Sequence, residues 1–510
     1  MEYWEAKQIE SRNFKEVFKL HPHLFRIGNF IDSPDFLEKY GIFIKDKKKF
    51  PLGYLKLWPQ DFIVEEIAAN GELQTVSPEK FLHTKRDFLP EDPIIYTTLV
   101  KCGLSTIEAA EDLARALNLE PKSIKFAGIK DKHAITSQLI SMKRGEIAET
   151  ASHLLKRSEG REMNEVQRTS PRSASPRSVI ERLNQISLPN FFLKNVFSGE
   201  NGLYPGNLKG NQFTILIRTG PNFNNFKKEE FLKRLKEVEK NGFFNFFYLQ
   251  RFGVPRLISP YCGLYIVKGD YEKAVLTEIC RPGERESPYF QRIRKEMEKL
   301  WGQWQEMESI LEFFPITFRV ERELLNYLIK NPSDFVGALN QVPQQVSLWV
   351  DSFASLLFNK LLSSYIREKK NLPKTLPLVL SPDKRDWLVY EELLKQVEIF
   401  SVTFALKNLN YFPFIAKRGK QQQTIETIRI LNYKIIPEGI IISFILSKGC
   451  YATTFLSHLF NLVSGSLPTK FSNLPIDTKA NLNQPSLEEI LNKFSDVVST
   501  PAWRFLWRIY

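Results

Sequence analysis

Asp131 is the residue whose setting best suits it to chemistry. It is a lone carboxylate among cations in Gly128-Ile129-Lys130-Asp131-Lys132, a short connection between two apolar runs. Lys130 and Lys132 favour its ionised form, and an ionised carboxylate held by rigid elements on both sides is a ready nucleophile or proton acceptor. A plain structural account competes, because such a string met alone is more often a solvated hairpin turn. A second stretch, Asn245-Phe246-Phe247-Tyr248-Leu249-Gln250-Arg251-Phe252-Gly253, sets ring faces beside amides and a guanidinium. Those groups can stack on an extruded base, read its edge and meet a phosphate. With 40 phenylalanines in the chain, a Phe-rich run is also simply core. Lys56, taken singly, is a snorkelling surface lysine.

These residues need elements to hold them. Ile124 to Ala127 reads as a short buried strand, Gly128 as the point where a side chain would obstruct the turn, and His133 to Ser141 as a period-two strand. Thr106 is the expected cap of a helix with Ile107, Ala110, Ala114 and Leu117 on one stripe and Pro121 beyond its end. That helix is expected to pack behind the Asp131 strands. Gly53 to Ile67 reads as two strands around a Trp58-Pro59-Gln60-Asp61 turn. Leu208 to Arg218 reads as a strand with Phe213, Ile215 and Ile217 on one face; Phe231, Leu235 and Val238 mark a helix closed by Asn241-Gly242. Ser352 or Ser355 is the expected cap of a helix that buries Phe358, and Ile440 to Leu446 is an apolar strand.

Gly128 to Gln138 resembles the motif G-x-K-D-(K/R)-x-A-(V/I)-T-x-Q of the TruD family of pseudouridine synthases. Five further strings are similar to that family's. They are Lys56 ahead of Pro59-Gln60-Asp61-Phe62-Ile63-Val64-Glu65-Glu66, Leu208-Lys209-Gly210-Asn211-Gln212-Phe213-Thr214, the Asn245 to Gly253 run, Ser355-Leu356-Leu357-Phe358-Asn359 within its helix, and Ser447 to Thr454. Tyr248 stands where the family has glycine, Ser447 where it has proline and Cys450 where it has a hydroxyl residue. The resemblance implies an α+β fold: a mixed or antiparallel pseudouridine-synthase sheet flanked by helices, with an inserted second α+β domain. It implies a cofactor-free isomerase that converts uridine to pseudouridine in tRNA, expected at uridine 13, with other structured RNAs left open. Asp131 is then catalytic and Lys56 its active-site partner. Asn245, Phe247, Gln250, Arg251, Lys130, Asn211 and Asn359 are the expected substrate-binding set. Phe247 would stack on the base, Asn245 fix it near Asp131, and Arg251 pair with phosphate or a site carboxylate. Asn211 would organise the backbone, and Asn359 would steady the cleft or simply sit in its helix.

The chain of 510 residues is too long for one core. Its expected division is an N-terminal extension (1–52), the first part of the catalytic domain (53–270), an inserted domain (271–423), a return segment (424–465) and a C-terminal extension (466–510). Lys156 to Ile180 is a polar basic tract read as a disordered insertion within the first part. Lys45 to Lys49, and Lys417 to Lys420, read as exposed basic loops. Lys plus Arg at 71 against Asp plus Glu at 58 gives a net charge of +13, which favours a polyanion partner. Cys102, Cys262, Cys280 and Cys450 form no close pair, and His21 and His23 lack companion ligands, so neither a metal nor a disulfide framework is expected. The apolar run 435–446 is broken by Pro437, Glu438 and Gly439, and the N-terminus has no secretory pattern, so a cytoplasmic protein without membrane association is expected. An RNA methyltransferase would need a glycine-rich cofactor loop after a strand, which this sequence lacks. A noncatalytic RNA-binding protein or chaperone remains as the alternative, having the same basic cleft but no need of Asp131.

Overall fold

A computed structural model describes residues 3–25, 28–77, 89, 91–147, 182–183, 186–219, 223, 225–415, 419–465 and 474–498. The tract 156–180, Lys417 and Arg418, and the last residues from 499 lie outside the described residues. In chain order the strands are β1 (Phe30–Ile31), β2 (Leu52–Tyr54), β3 (Phe62–Ala68), β4 (Ile94–Cys102), β5 (Lys125–Phe126), β6 (Ile135–Lys143), β7 (Ser187–Leu188), β8 (Phe191–Gly199), β9 (Leu208–Arg218), β10 (Phe243–Phe244), β11 (Thr375–Pro377), β12 (Gln421–Gln423), β13 (Ile425–Glu426), β14 (Arg429–Ile436), β15 (Gly439–Ser447) and β16 (Asn461–Ser464). Twelve of them form one mixed sheet in the order β1-β16-β2-β9-β3-β6-β4-β8-β7, with β5 also on β6, β15 on β9 and β14 on β15. The β2–β16 and β3–β6 pairs are parallel, whereas the others are antiparallel. Parallel register Ile63↔Ile135 puts the segments entering β3 and β6 at one end of the sheet, so Lys56 and Asp131 meet although they are far apart in sequence.

Alternation along β6 sorts two buried faces, not core from solvent. Every residue from Ile135 to Met142 is buried. Ile140 and Met142 pack with the helix Thr106–Leu117, and Ile135 packs with Leu487, Ile490, Phe494 and Val498 of the C-terminal segment. The cap of the helix Thr106–Leu117 is Ser105, not Thr106. Ser105 Oγ accepts from Glu108 N (3.1 Å), and Glu108 Oε2 accepts from Ser105 N (2.7 Å), a reciprocal pair of caps. Ile107 is exposed, and the buried stripe is Thr106, Ala109, Ala110, Leu113, Ala114 and Leu117. Gly210 allows β15 to close on β9, where a Cβ would overlap the Leu446 carbonyl.

Helices dominate from Ser259 to Leu409 around a core that includes Phe290, Leu324, Trp349 and Phe353. The N-terminal helix Tyr3–Leu20 joins that core through Phe14 and Val17. Ser352 and Ser355 cap nothing: both lie inside the helix Pro343–Arg367, which starts on a proline suited to a first turn. The lysine run is not wholly a solvated loop either. Lys47 is buried, its ammonium donating to Ser457 O (2.7 Å) and Phe460 O (2.8 Å), and burial pushes its pKa down to about 7. Lys479 reaches Glu65 at 2.5 Å, fastening the C-terminal segment to β3.

Candidate active site

Asp131 sits in the connection from β5 to β6. Its Oδ2 forms a close ion pair with Lys56, and its Oδ1 accepts from His133 N (3.0 Å). Lys56 lies in the left-handed backbone region (φ +56°), and its ammonium is 4.4 Å from the centroid of Phe62. From behind, Lys101 on β4 donates to Asp131 O and Leu104 O, both at 2.8 Å. Burial raises the carboxyl of Asp131, but Lys56 and His133 outweigh it and hold the pKa at about 2. Burial likewise lowers Lys101 to about 8 and His133 to about 4, so that the imidazole is neutral at pH 7. The result is an ionised carboxylate with its side chain about one quarter (26%) exposed, fixed through both its oxygens and its peptide.

The adjacent lysines do not supply this charge. Lys130 turns inward, buried against Glu66 (2.6 Å) and Asn211 Oδ1 (2.9 Å), and Lys132 pairs with Glu108 (2.9 Å). Lys130 and Asn211, expected to bind substrate, therefore brace the loop against β3 and β9. Gly128 has room for a Cβ, the nearest atom being Lys130 Nζ at 3.6 Å; its carbonyl accepts from Gln138 Nε2 (3.0 Å).

The second group gathers on the 245–253 segment. Phe247 is buried, with its ring edge-on to Phe358 (5.4 Å) and Tyr451 (6.5 Å). Asn359 holds its peptide on both sides: Phe247 N donates to Asn359 Oδ1 (2.9 Å), and Asn359 Nδ2 donates to Phe247 O (2.7 Å) and Tyr40 O (3.1 Å). Arg251 lies 5.6 Å from the centroid of Phe247, bonded to Ser355 Oγ (3.0 Å) and paired with Asp351 (3.1 Å). The carboxylate it meets is thus Asp351, not Asp131. Asn245 is buried on Gln423 O (3.2 Å), and Gln250 accepts from Thr453 Oγ1 (3.2 Å). Phe62 and Ala134, beside Lys56 and Asp131 in the chain, belong to the same apolar cluster as Phe247 and Tyr248.

Lys101, His133 and Phe62 are the site residues that motif reading passed over. A lysine inside an otherwise uncharged strand is the available signal for Lys101. Among the described residues no three or more His, Cys, Asp or Glu are grouped to hold a metal, and no helix is long and apolar enough to cross a membrane.

A model of the TruD family, tRNA pseudouridine synthase D, matches residues 42–378. The protein named "Probable tRNA pseudouridine synthase D" of Methanopyrus kandleri is 27% identical over 382 residues, covering 71% of this chain and 84% of that one. Its namesake in Thermococcus sibiricus is 28% identical over 455 residues, covering 80% of this chain and 94% of that one. A solved TruD structure from Methanosarcina mazei superposes with a TM-score of 0.56 at 22% identity, covering 83% of this chain and 97% of that one. That likeness shows the pseudouridine-synthase α+β fold. With the family region running through the Asp131 turn, the Lys56 segment and the 245–253 segment, the chain belongs to the tRNA pseudouridine synthase D (TruD) family of isomerases.

Proposed function

We propose that this protein isomerises uridine to pseudouridine in tRNA, with uridine 13 the expected target, and that Asp131 is the catalytic group. The observation that carries this reading is the Lys56–Asp131 pair, which keeps a carboxylate ionised and oriented at a turn still open to the outside. The reaction breaks the N1–C1′ bond, turns the uracil and joins C5 to the same C1′; the C5 proton is then lost and N1, freed with its electron pair, takes up a proton. No electrons and no outside group are transferred, so one positioned carboxylate suffices as the central group. Asp131 either attacks C1′ or removes a ribose proton. Lys56 orients it, and Asn245, Phe247, Gln250 and Arg251 receive the everted base and its phosphate. Lys130, Asn211 and Asn359 act one step back, through the backbone they brace. Residues 271–423 are read as an inserted unit that completes the RNA-holding cleft, with the surplus of basic side chains over acidic ones supplying attraction for the polyanion.

The test is tRNA labelled with tritium at uridine C5. Release of label by the purified protein is expected; binding without release overturns the isomerase reading in favour of a noncatalytic RNA binder.

A further inference from the structure

Residues 30–43 cross the substrate segment as a strap. Its first residues form β1 on β16, with Phe30 opposite Ser464, and Asp32 N donates to Leu462 O (2.8 Å). The Asp32 carboxylate is buried and held by donors from two different parts of the chain. Tyr248 donates its hydroxyl to Oδ2 and Arg285 donates Nη2 to Oδ1, each at 2.6 Å. The Arg285 guanidinium lies 4.2 Å from the ring of Phe36 on the same strap, and its backbone N donates to Pro255 O (3.2 Å). Further along, Tyr40 stacks on Phe252 (5.4 Å), and its carbonyl accepts from the same Asn359 amide that grips Phe247. Ser363 then donates to Gly41 O (2.7 Å) and accepts from Phe43 N (3.1 Å).

Two residues of the 245–253 segment, Tyr248 and Phe252, therefore touch the strap directly, and Phe247 shares with Tyr40 the Asn359 amide that holds it. Most of the strap precedes residue 42, where the family match begins. Tyr248 occupies the position of the motif's glycine in ordinary extended backbone (φ −89°), so the space a glycine would leave open is filled by a side chain that reaches for Asp32. A buried carboxylate with two charge-assisted or hydroxyl donors resists displacement, because losing either leaves the charge poorly compensated.

We propose that Asp32 is a positioning residue for the isomerisation: through the Tyr248 hydroxyl it fixes the segment that presents Asn245 and Phe247 to the substrate. This rests on the function proposed above. Asp32 touches no substrate. Displacing a binding segment by about 1 Å can cost on the order of a hundredfold in rate, so loss of one such bond is expected to lower turnover by about tenfold.

The experiment measures kcat and KM for tritium release from tRNA with wild type, Asp32→Asn, Tyr248→Phe, the double variant, and Asn13→Ala as a control. Asn13 bonds Phe313 O from the N-terminal helix, away from the strap. Expected are a fall in kcat of about tenfold in Tyr248→Phe and at least as large in Asp32→Asn, which also removes the charge paired with Arg285, KM for tRNA within about twofold, and a double variant no slower than the slower single, because the bond lost in Tyr248→Phe is one that Asp32→Asn already weakens. Asn13→Ala keeps wild-type kcat. Should Asp32→Asn not fold, Tyr248→Phe removes a single oxygen and still decides the matter. Unchanged kcat in Tyr248→Phe, a loss confined to KM, or multiplicative losses in the double variant overturns the assignment of Asp32. A wild type that binds tRNA without releasing tritium instead overturns the isomerase reading, and Asp32 as its positioning residue with it.

Discussion

Asp131 is kept ionised and oriented by partners that come from elsewhere in the chain. Burial raises its carboxyl, but Lys56 and His133 together outweigh that and hold it at about 2. Asp131→Asn should abolish tritium release while leaving tRNA affinity within a few-fold, as measured by filter binding. The depressed pKa also fixes a sign. A carboxyl held that low stays ionised throughout the range in which the enzyme works, so wild type should show no acid limb from Asp131 between pH 4 and pH 7. Lys56→Met leaves burial with less opposition, and the acid limb of kcat/KM should move up to or beyond the ordinary aspartate value of about 3.9. A profile identical to wild type would remove Lys56 from this role. Resemblance points to both the Asp131 motif and Lys56 as its partner, whereas local charge points to Lys130 and Lys132. Neighbouring residues in an extended turn point to opposite sides, so Lys130 and Lys132 leave for Glu66 and Glu108. The cation that matters arrives through a parallel strand pairing that no local pattern displays.

The same division holds for elements. Strands β6 and β9 follow their period-two runs, β15 its continuous apolar run, and the helix after β4 its apolar stripe, because those patterns record which neighbours each side chain packs against. The helix start was displaced by one residue, since Ser105 and Thr106 are both cap formers. Glu108, three residues beyond Ser105, settles the choice through the reciprocal cap. Thr106 does something else: its Oγ1 accepts from Lys130 N and donates to Gln138 Oε1, both at 2.8 Å, joining the helix to the Asp131 turn. Ser105→Ala should therefore cost about 1 kcal/mol of stability in denaturant unfolding with little change in kcat. Thr106→Val should cost about 1–3 kcal/mol, since it strands a buried donor, and should lower kcat as well, because the stranded N–H belongs to the residue before Asp131. Equal kcat for the two variants would contradict the anchoring role.

At the scale of the whole molecule, three buried lysines set a pH dependence that composition conceals. Lys47 is lowered to about 7, and Lys101 and Lys194 to about 8, each chiefly by burial. In the unfolded chain they would titrate near 10.4. Between about pH 7 and pH 10 the unfolded state thus binds more protons than the folded one, and stability should rise with pH over that window. Unfolding midpoints measured from pH 7 to pH 9 should show the rise, and Lys47→Met should flatten it in part. Lys47 could not be told from its exposed neighbours in a run of lysines, because what buries it is the end of a helix near the far terminus. The ends of the chain were opaque for the same reason: their partners are remote in sequence. Strand β16 is seated between β1 and β2, so both early strands wait for a late one. During translation, the ribosome must deliver almost the entire polypeptide before Asp32 can take its place. A prematurely stopped product therefore lacks an assembled strap and leaves β1 and β2 without the strand that joins them.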